Sequence, residues 1–261
     1  MKTALIQMNI KLGDVATNQA KADTLMTAGL KEGAKLFVLP ELWTTGYKLE
    51  NIFEFAEPEN GPTITMLRHF AISHQVEIIA GSLAEKAGDK IYNTAYTIDR
   101  RGEIVAKYRK IHLFGLGLMN EKDYLSSGNT QEIFDLSTGK AGLIICYDLR
   151  FTELPRALAL KGCRTLFVPA QWPAARGQHW LTLTLARAIE NQMFVIAVNR
   201  VGSDSNTTFF GNSLAVSPWG EILAQGSASE EQTIIVDIDF SLVDDVRQRI
   251  PIFTDRRPEC Y

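Results

Sequence analysis

Cys146 stands at the end of Gly142-Leu143-Ile144-Ile145, an apolar run with β-branched residues, and Tyr147-Asp148-Leu149-Arg150-Phe151 follows at once. Such a run reads as a buried parallel strand delivering a thiol to the carboxyl edge of a sheet. Thr152-Glu153-Leu154-Pro155 then reads as a short turn into a helix, with a hydroxyl and a carboxylate where a helix start favours them. A nucleophile on such a strand-to-helix turn is exposed while the backbone beneath it stays rigid. Taken alone, a cysteine here would more often be a buried filler, so its partners must decide.

Two further polar residues sit where strands end or loops begin. Glu41 follows Phe37-Val38-Leu39-Pro40, and Lys110 follows a strand ending near Tyr108. Each alone has a plain alternative: a solvated loop glutamate, or one lysine of an exposed basic face, Lys107-Tyr108-Arg109-Lys110. Together they complete a chemistry. A thiol attacks a carbonyl as the thiolate, so it needs a base or a lowered pKa. A nearby lysine favours the thiolate and can hold the oxyanion of a tetrahedral intermediate. A partly buried carboxylate can take the thiol proton, pass it to leaving ammonia and then activate water. The backbone N–H of Tyr147 is placed to be a second oxyanion donor, and losing one such donor costs about 3–4 kcal/mol of transition-state stabilisation. The scheme requires no histidine.

These side chains converge only if their strands point the same way, at the edge where α/β folds place their sites. The chain supplies the elements. Strands are expected at 4–8, 36–39, 77–82, 165–169, 194–198 and 233–238, and helices at 18–30, 63–74, 154–161, 179–191 and 242–249. The first helix has Ala22, Leu25, Met26 and Leu30 on one face and Gly33 as its stop. Alternating strands at 92–98 and 103–108 around Asp99-Arg100-Arg101-Gly102 form a hairpin, and 213–217 with 221–224 around Pro218-Trp219-Gly220 form another. Two hairpins in matching positions imply a pseudo-symmetric pair of sheets. The expectation is a single α/β domain with mixed sheets and no linker.

Composition narrows the function. A hydrophobic content of 46% provides a core, and a net charge of -3 gives no electrostatic reason to expect nucleic acid or a membrane surface. The three cysteines, 146, 163 and 260, form neither a disulfide framework nor a metal-ligand spacing, which points to a reducing, cytoplasmic setting. The apolar stretch near Met1 is too short for a signal peptide, and no run reaches the length of a membrane span. Cys163 reads as buried filler and Cys260 as an exposed thiol.

Pro40-Glu41, Tyr108-Arg109-Lys110-Ile111-His112-Leu113-Phe114 and Cys146-Tyr147-Asp148-Leu149-Arg150-Phe151 together resemble the nitrilase superfamily of carbon–nitrogen hydrolases, over nearly the whole chain. The resemblance implies a four-layer α-β-β-α sandwich spanning 1–261, with a tail from about 251, and no metal or organic cofactor. It makes Glu41 the general base, Lys110 the intermediate-stabilising cation and Cys146 the nucleophile, and Glu121 a second glutamate that orients Lys110. It further implies a homodimer or higher homo-oligomer, to which Trp180, Phe253 and Tyr261 could contribute.

Within that family, the Cys146 motif with Asn212-Ser213 and Ser217-Pro218-Trp219-Gly220-Glu221 looks most like ω-amidases, and Gly117-Leu118-Met119-Asn120-Glu121 and Ala170-Gln171-Trp172-Pro173 lean toward bacterial ones. The expected reaction is hydrolysis of the terminal amide of small 2-oxo dicarboxylic acid ω-amides, such as 2-oxoglutaramate, through a thioester. A free carboxylate on such a substrate calls for a guanidinium, and Arg150 and Arg176 are the candidates. Arg150 is equally compatible with an internal pair to Asp148 or Glu153. Phe114, Trp172 and Phe210 are expected to wall the pocket. The alternatives are an N-carbamoyl or deaminated-peptide amide hydrolase with the same triad, and a catalytically silent binding module.

Overall fold

The computed structural model describes residues 1–115, 120–204 and 207–260. Along β1 (Lys2–Gln7), β2 (Leu36–Val38) and β3 (Glu77–Ala87), the side chains divide by alternation. Leu5, Leu36, Val38 and Ile79 enter one apolar cluster; Ala4, Ile6, Phe37, Ile78 and Ala80 enter another. That is the period-2 pattern of a strand buried on both faces. The second cluster is closed by Ala22 and Met26 of α1 (Val15–Lys31) and by Ile64, Leu67 and Ala71 of α3 (Pro62–His74). The first cluster continues into a second sheet.

β1, β2 and β3 are parallel, with the antiparallel β4 (Lys90–Ile98) and β5 (Ile104–Arg109) beyond β3. The second sheet repeats this plan: β7 (Gly139–Leu143), β8 (Thr165–Ala170) and β9 (Phe194–Asn199) are parallel, followed by the antiparallel β12 (Leu214–Val216) and β13 (Ile222–Gln225). Each sheet gains an antiparallel sixth strand beside its first parallel one, β14 (Gln232–Asp237) on β1 and β6 (Ile133–Leu136) on β7. Leu154 and Leu158 of α4 (Glu153–Leu160) and Trp180 and Ala188 of α5 (Gly177–Asn191) pack with this sheet's residues. The result is an α-β-β-α sandwich in a single domain, and the two hairpins do occupy matching places.

Several expectations need correction. β3 runs on to Ala87 through an irregularity between Ile79 and Ser82. β6 and the small hairpin β10 (Val201–Asp204) and β11 (Thr207–Phe210) were not legible as strands, and neither was the four-residue helix α2 (Ile52–Phe55). The strand-to-helix turn at Cys146 is not direct: β7 ends at Leu143, and a 3₁₀ turn, Cys146–Arg150, precedes α4. Trp180 is fully buried, donates to the Asn212 carbonyl and packs on Trp172, so it serves the core rather than an interface. Phe253, in α7 (Ile252–Asp255) after α6 (Leu242–Arg249), is half-buried beneath the Arg156 and Arg247 guanidinium groups. Tyr261 and Gly117-Leu118-Met119 lie outside the described residues. Among the described residues, no helix is long and apolar enough to cross a membrane.

Candidate active site

β2 and β5 run in the same direction, because two antiparallel steps, β3 to β4 and β4 to β5, restore it. Glu41 and Lys110 therefore leave the same edge of the first sheet, while Cys146 leaves the second. Alternation sends Ala106, Tyr108 and Lys110 inward, and Lys107 and Arg109 outward to Glu85. The basic stretch is thus not a solvated face; its fourth residue is completely buried.

Two glycines set the close approaches. Gly81 has φ +64°, and a Cβ there would lie 2.1 Å from the Pro40 carbonyl oxygen, so β3 can press against the residue before Glu41. Ser82 N–H donates to that carbonyl at 3.1 Å, and the Ser82 hydroxyl accepts from Leu42 N–H, pinning both neighbours of Glu41. A Cβ on Gly128 would lie 2.1 Å from the Arg109 carbonyl oxygen, and Gly128 N–H donates to the Lys110 carbonyl at 2.8 Å.

The Lys110 ammonium donates to Glu41 Oε1 at 2.8 Å and Glu121 Oε2 at 2.7 Å, with all three side chains fully buried. An ammonium has three N–H groups, so one remains for a bound oxygen. Burial alone would lower the lysine's pKa, but the charges of Glu121 and Glu41 outweigh it and hold the ammonium well above its ordinary value. Glu121 is pushed the other way from an ordinary carboxylate, upward, by burial, with Lys110 opposing. Glu121 Oε2 also accepts from Phe114 N–H at 2.7 Å. Glu121 thus stands in direct contact with Lys110, the residue that the family resemblance would have it orient.

Glu41 Oε1 is crowded: it accepts from Lys110, from Asn93 Nδ2 at 2.8 Å and from the Tyr47 hydroxyl at 3.0 Å. Oε2 accepts Gln171 N–H at 2.8 Å. The Cys146 thiol lies 3.9 Å from the Gln171 carbonyl oxygen, within the electrostatic reach of Glu41 and Lys110. Burial pushes this thiol well above its ordinary pKa, and the Glu41 charge adds to the effect; Lys110 pulls it down but does not prevail. Lys110 thus favours the thiolate, as expected, without outweighing burial and Glu41. The arrangement sets a thiol beside a carboxylate that can take its proton during attack.

Cys146 has φ +45°, a left-handed conformation uncommon for a residue with a side chain. It opens onto a narrow cleft of about 20 Å³, lined by Tyr47, Phe114, Tyr147, Arg150, Trp172 and Arg176, among others. Phe114, Trp172, Arg150 and Arg176 thus all stand where the sequence placed them. Phe210 does not: it packs against Gly177 at the start of α5. Asp148 is buried on the Tyr108 hydroxyl and on His112, so it is no partner for Arg150. The Arg150 guanidinium lies 4.6 Å from the Trp172 ring centroid and 3.2 Å from His179 Nδ1. Burial lowers its pKa, and Arg176 nearby adds to that. Arg176 lies 5.5 Å from the Phe114 ring centroid. The cleft therefore carries two guanidinium groups, and neither is in an ion pair among the described residues.

Sequence reading missed Tyr47, Asn93 and Gln171. Gln171 carried the signal that flagged Glu41 and Cys146, a polar residue just past an apolar strand, β8. Asn93 is a fully buried polar side chain within β4, and Tyr47 follows the turn after Glu41; neither spacing reveals the contact.

Comparison with known proteins places this geometry. The family described as carbon-nitrogen hydrolase matches residues 2–248. The 2-oxoglutaramate amidase of Bacillus subtilis is 42% identical over 256 residues, covering 98% of this chain and 97% of its own. Human omega-amidase NIT2 is 34% identical, covering 100% and 96%. The crystal structure of a Saccharomyces cerevisiae member of branch 10 of the nitrilase superfamily superposes with a TM-score of 0.91 at 28% identity, over 100% of this chain and 97% of that one.

Proposed function

The chain belongs to the carbon–nitrogen hydrolase family, and from that premise we propose that it hydrolyses the terminal amide of small dicarboxylic acid ω-amides, 2-oxoglutaramate among them. One observation carries the reading: a buried thiol with a carboxylate and an ammonium opens into a cleft bearing two guanidinium groups outside any ion pair among the described residues. A substrate with an amide at one end and a carboxylate at the other matches both ends of that cleft. The amidase relatives support the same class.

Glu41 takes the Cys146 proton as sulfur attacks the amide carbon. The oxyanion is held by the third N–H of Lys110 and by the Tyr147 N–H, which sits in the first turn of a 3₁₀ helix where no intrahelical carbonyl precedes it. Glu41 returns the proton to nitrogen, ammonia leaves, and a thioester remains. Glu41 then takes a proton from water, the hydroxide adds, and the sulfur departs with that proton. Glu121 keeps Lys110 aimed, and Arg150 and Arg176 bind the free carboxylate between the walls of Phe114 and Trp172.

We assign 1–261 to one catalytic domain with its tail from about 251, acting as a homodimer in the cytoplasm. Three free cysteines support a reducing compartment. A groove flanked by the exposed Ile189, Trp219 and Ile250 supports a second copy as its cover. Purified protein is expected to release ammonia from 2-oxoglutaramate or succinamate, and Cys146→Ala to abolish the release. Release that survives this substitution refutes the mechanism; turnover of a carbamoyl compound in place of any ω-amide refutes the substrate class.

A further inference from the structure

The turn that carries Cys146 is held by a carboxylate that the reaction scheme does not use. We propose that Asp148 is a positioning residue that fixes the nucleophile's backbone and registers it against Lys110, acting through Tyr108 and His112. This rests on the reading of Cys146 as the nucleophile.

Asp148 is fully buried and receives donors from both sides of the site. Its Oδ2 accepts Ile145 N–H at 3.0 Å and the Tyr108 hydroxyl at 2.7 Å. Its Oδ1 accepts His112 N–H at 2.9 Å and lies 2.8 Å from His112 Nδ1. That ring nitrogen must carry a proton, because a carboxylate only accepts. Asp148 N–H in turn donates to the Ile145 carbonyl at 3.0 Å. The reciprocal pair between 145 and 148 encloses Cys146, the residue with φ +45°. Left-handed backbone at a non-glycine residue persists where its surroundings over-determine it, and these two bonds do so.

The second half of the clamp concerns register. Tyr108 and His112 lie two residues before and two after Lys110. One carboxylate therefore ties the nucleophile's turn to both flanks of the lysine, across the gap between the two sheets. The His112 ring is itself kept in place by stacking on Phe151, with centroids 3.6 Å apart and planes 8° apart. Phe151 meets Tyr147 edge-on at 5.3 Å, and Tyr147 lines the cleft. A displacement of a few tenths of an ångström here moves sulfur relative to both Glu41 and Lys110, and misplacement of reacting atoms is costly in rate.

Asp148→Asn keeps the shape but turns one acceptor into a donor that faces donors. Expected is a fall in kcat of at least about 30-fold with KM within about threefold, and a comparable slowing of Cys146 alkylation by iodoacetamide. His112→Ala is expected to lower kcat about 10-fold, and His112→Asn, whose amide N–H can replace that of Nδ1, to restore it to within about threefold of the parent. Folded Asp148→Asn protein with parental kcat and alkylation rate overturns the proposal. Should Asp148→Asn not fold, the histidine pair decides: rescue by asparagine supports the clamp, and equal rates for alanine and asparagine overturn it. Alkylation needs no substrate, so an error in the amide assignment leaves this test intact, while ammonia release by Cys146→Ala exposes an error in the nucleophile instead.

Discussion

The floor of the cleft and its mouth are built on opposite principles. At the floor, Glu41, Lys110 and Glu121 are fully buried, and each carboxylate oxygen of Glu41 already has a donor. At the mouth, Arg150 and Arg176 rest on Trp172 and Phe114 and keep their guanidinium groups out of ion pairs among the described residues. A densely bonded buried network holds its members in one geometry and suits chemistry that requires alignment; unpaired cations leave their hydrogen bonds for a ligand. The floor should therefore govern kcat and the mouth KM.

The largest effects test the floor. Cys146→Ala, Glu41→Gln and Lys110→Met are each expected to lower kcat by on the order of 10⁴-fold or more, measured as ammonia release. Lys110→Met should also destabilise the fold by about 3–5 kcal/mol in urea unfolding, because it leaves two buried carboxylates without their cation. Adding Glu121→Gln to it should recover part of that stability and none of the activity. Glu121→Gln alone is expected to lower kcat by about 10²-fold, as the loss of a charge partner that holds Lys110. A parental kcat in either glutamate variant would break the comparison.

Smaller effects test the mouth. Arg150→Ala or Arg176→Ala should raise KM for succinamate by roughly 10–100-fold, the worth of a charge-assisted hydrogen bond, with kcat nearly unchanged. For an amide of similar length without the carboxylate, neither substitution should raise KM. A fall in kcat with KM unchanged would move these arginines to the floor.

The smallest effect uses Cys163 as a control, a thiol as buried as Cys146 but with no chemistry around it. Iodoacetamide should label Cys146 ahead of Cys163, and substrate should protect it. Burial pushes Cys163 up to about 12 from an ordinary 9.0. The folded protein thus keeps a proton that the unfolded chain loses, so stability should fall as pH rises between these values. The contribution is about 1–1.5 kcal/mol near pH 10, and Cys163→Ala should flatten the urea-unfolding profile by that amount.

Much of this site was legible because its members sit where strands end, and Glu41, Cys146 and Gln171 do so just past short apolar runs, where a polar residue has few structural reasons to be. Lys110 instead closes an alternating basic strand end and was legible only in combination with the others. Asn93 lacks such a signature, since one buried amide in an alternating strand looks like any solvent-facing residue. Asp148 lacks it too: its partners Tyr108 and His112 are 40 and 36 residues away, and no local pattern joins them. The helices were legible within three residues where the apolar period was sustained, and the short β6, β10 and β11 were not, because four residues carry too little period.

Residue type and order by themselves determined the alternation of strands and helices, the two matching hairpins and the placing of Cys146, Glu41 and Lys110 at strand ends. Those follow from hydrophobic period and local side-chain chemistry, which act over a few residues. Tertiary structure alone decided that burial and Glu41 raise the thiol's pKa against the pull of Lys110, that Lys110 bridges two carboxylates and that Asp148 faces His112 rather than Arg150. Burial and Coulomb interactions between strands of two different sheets set these properties, and those distances exist only once the sheets have packed.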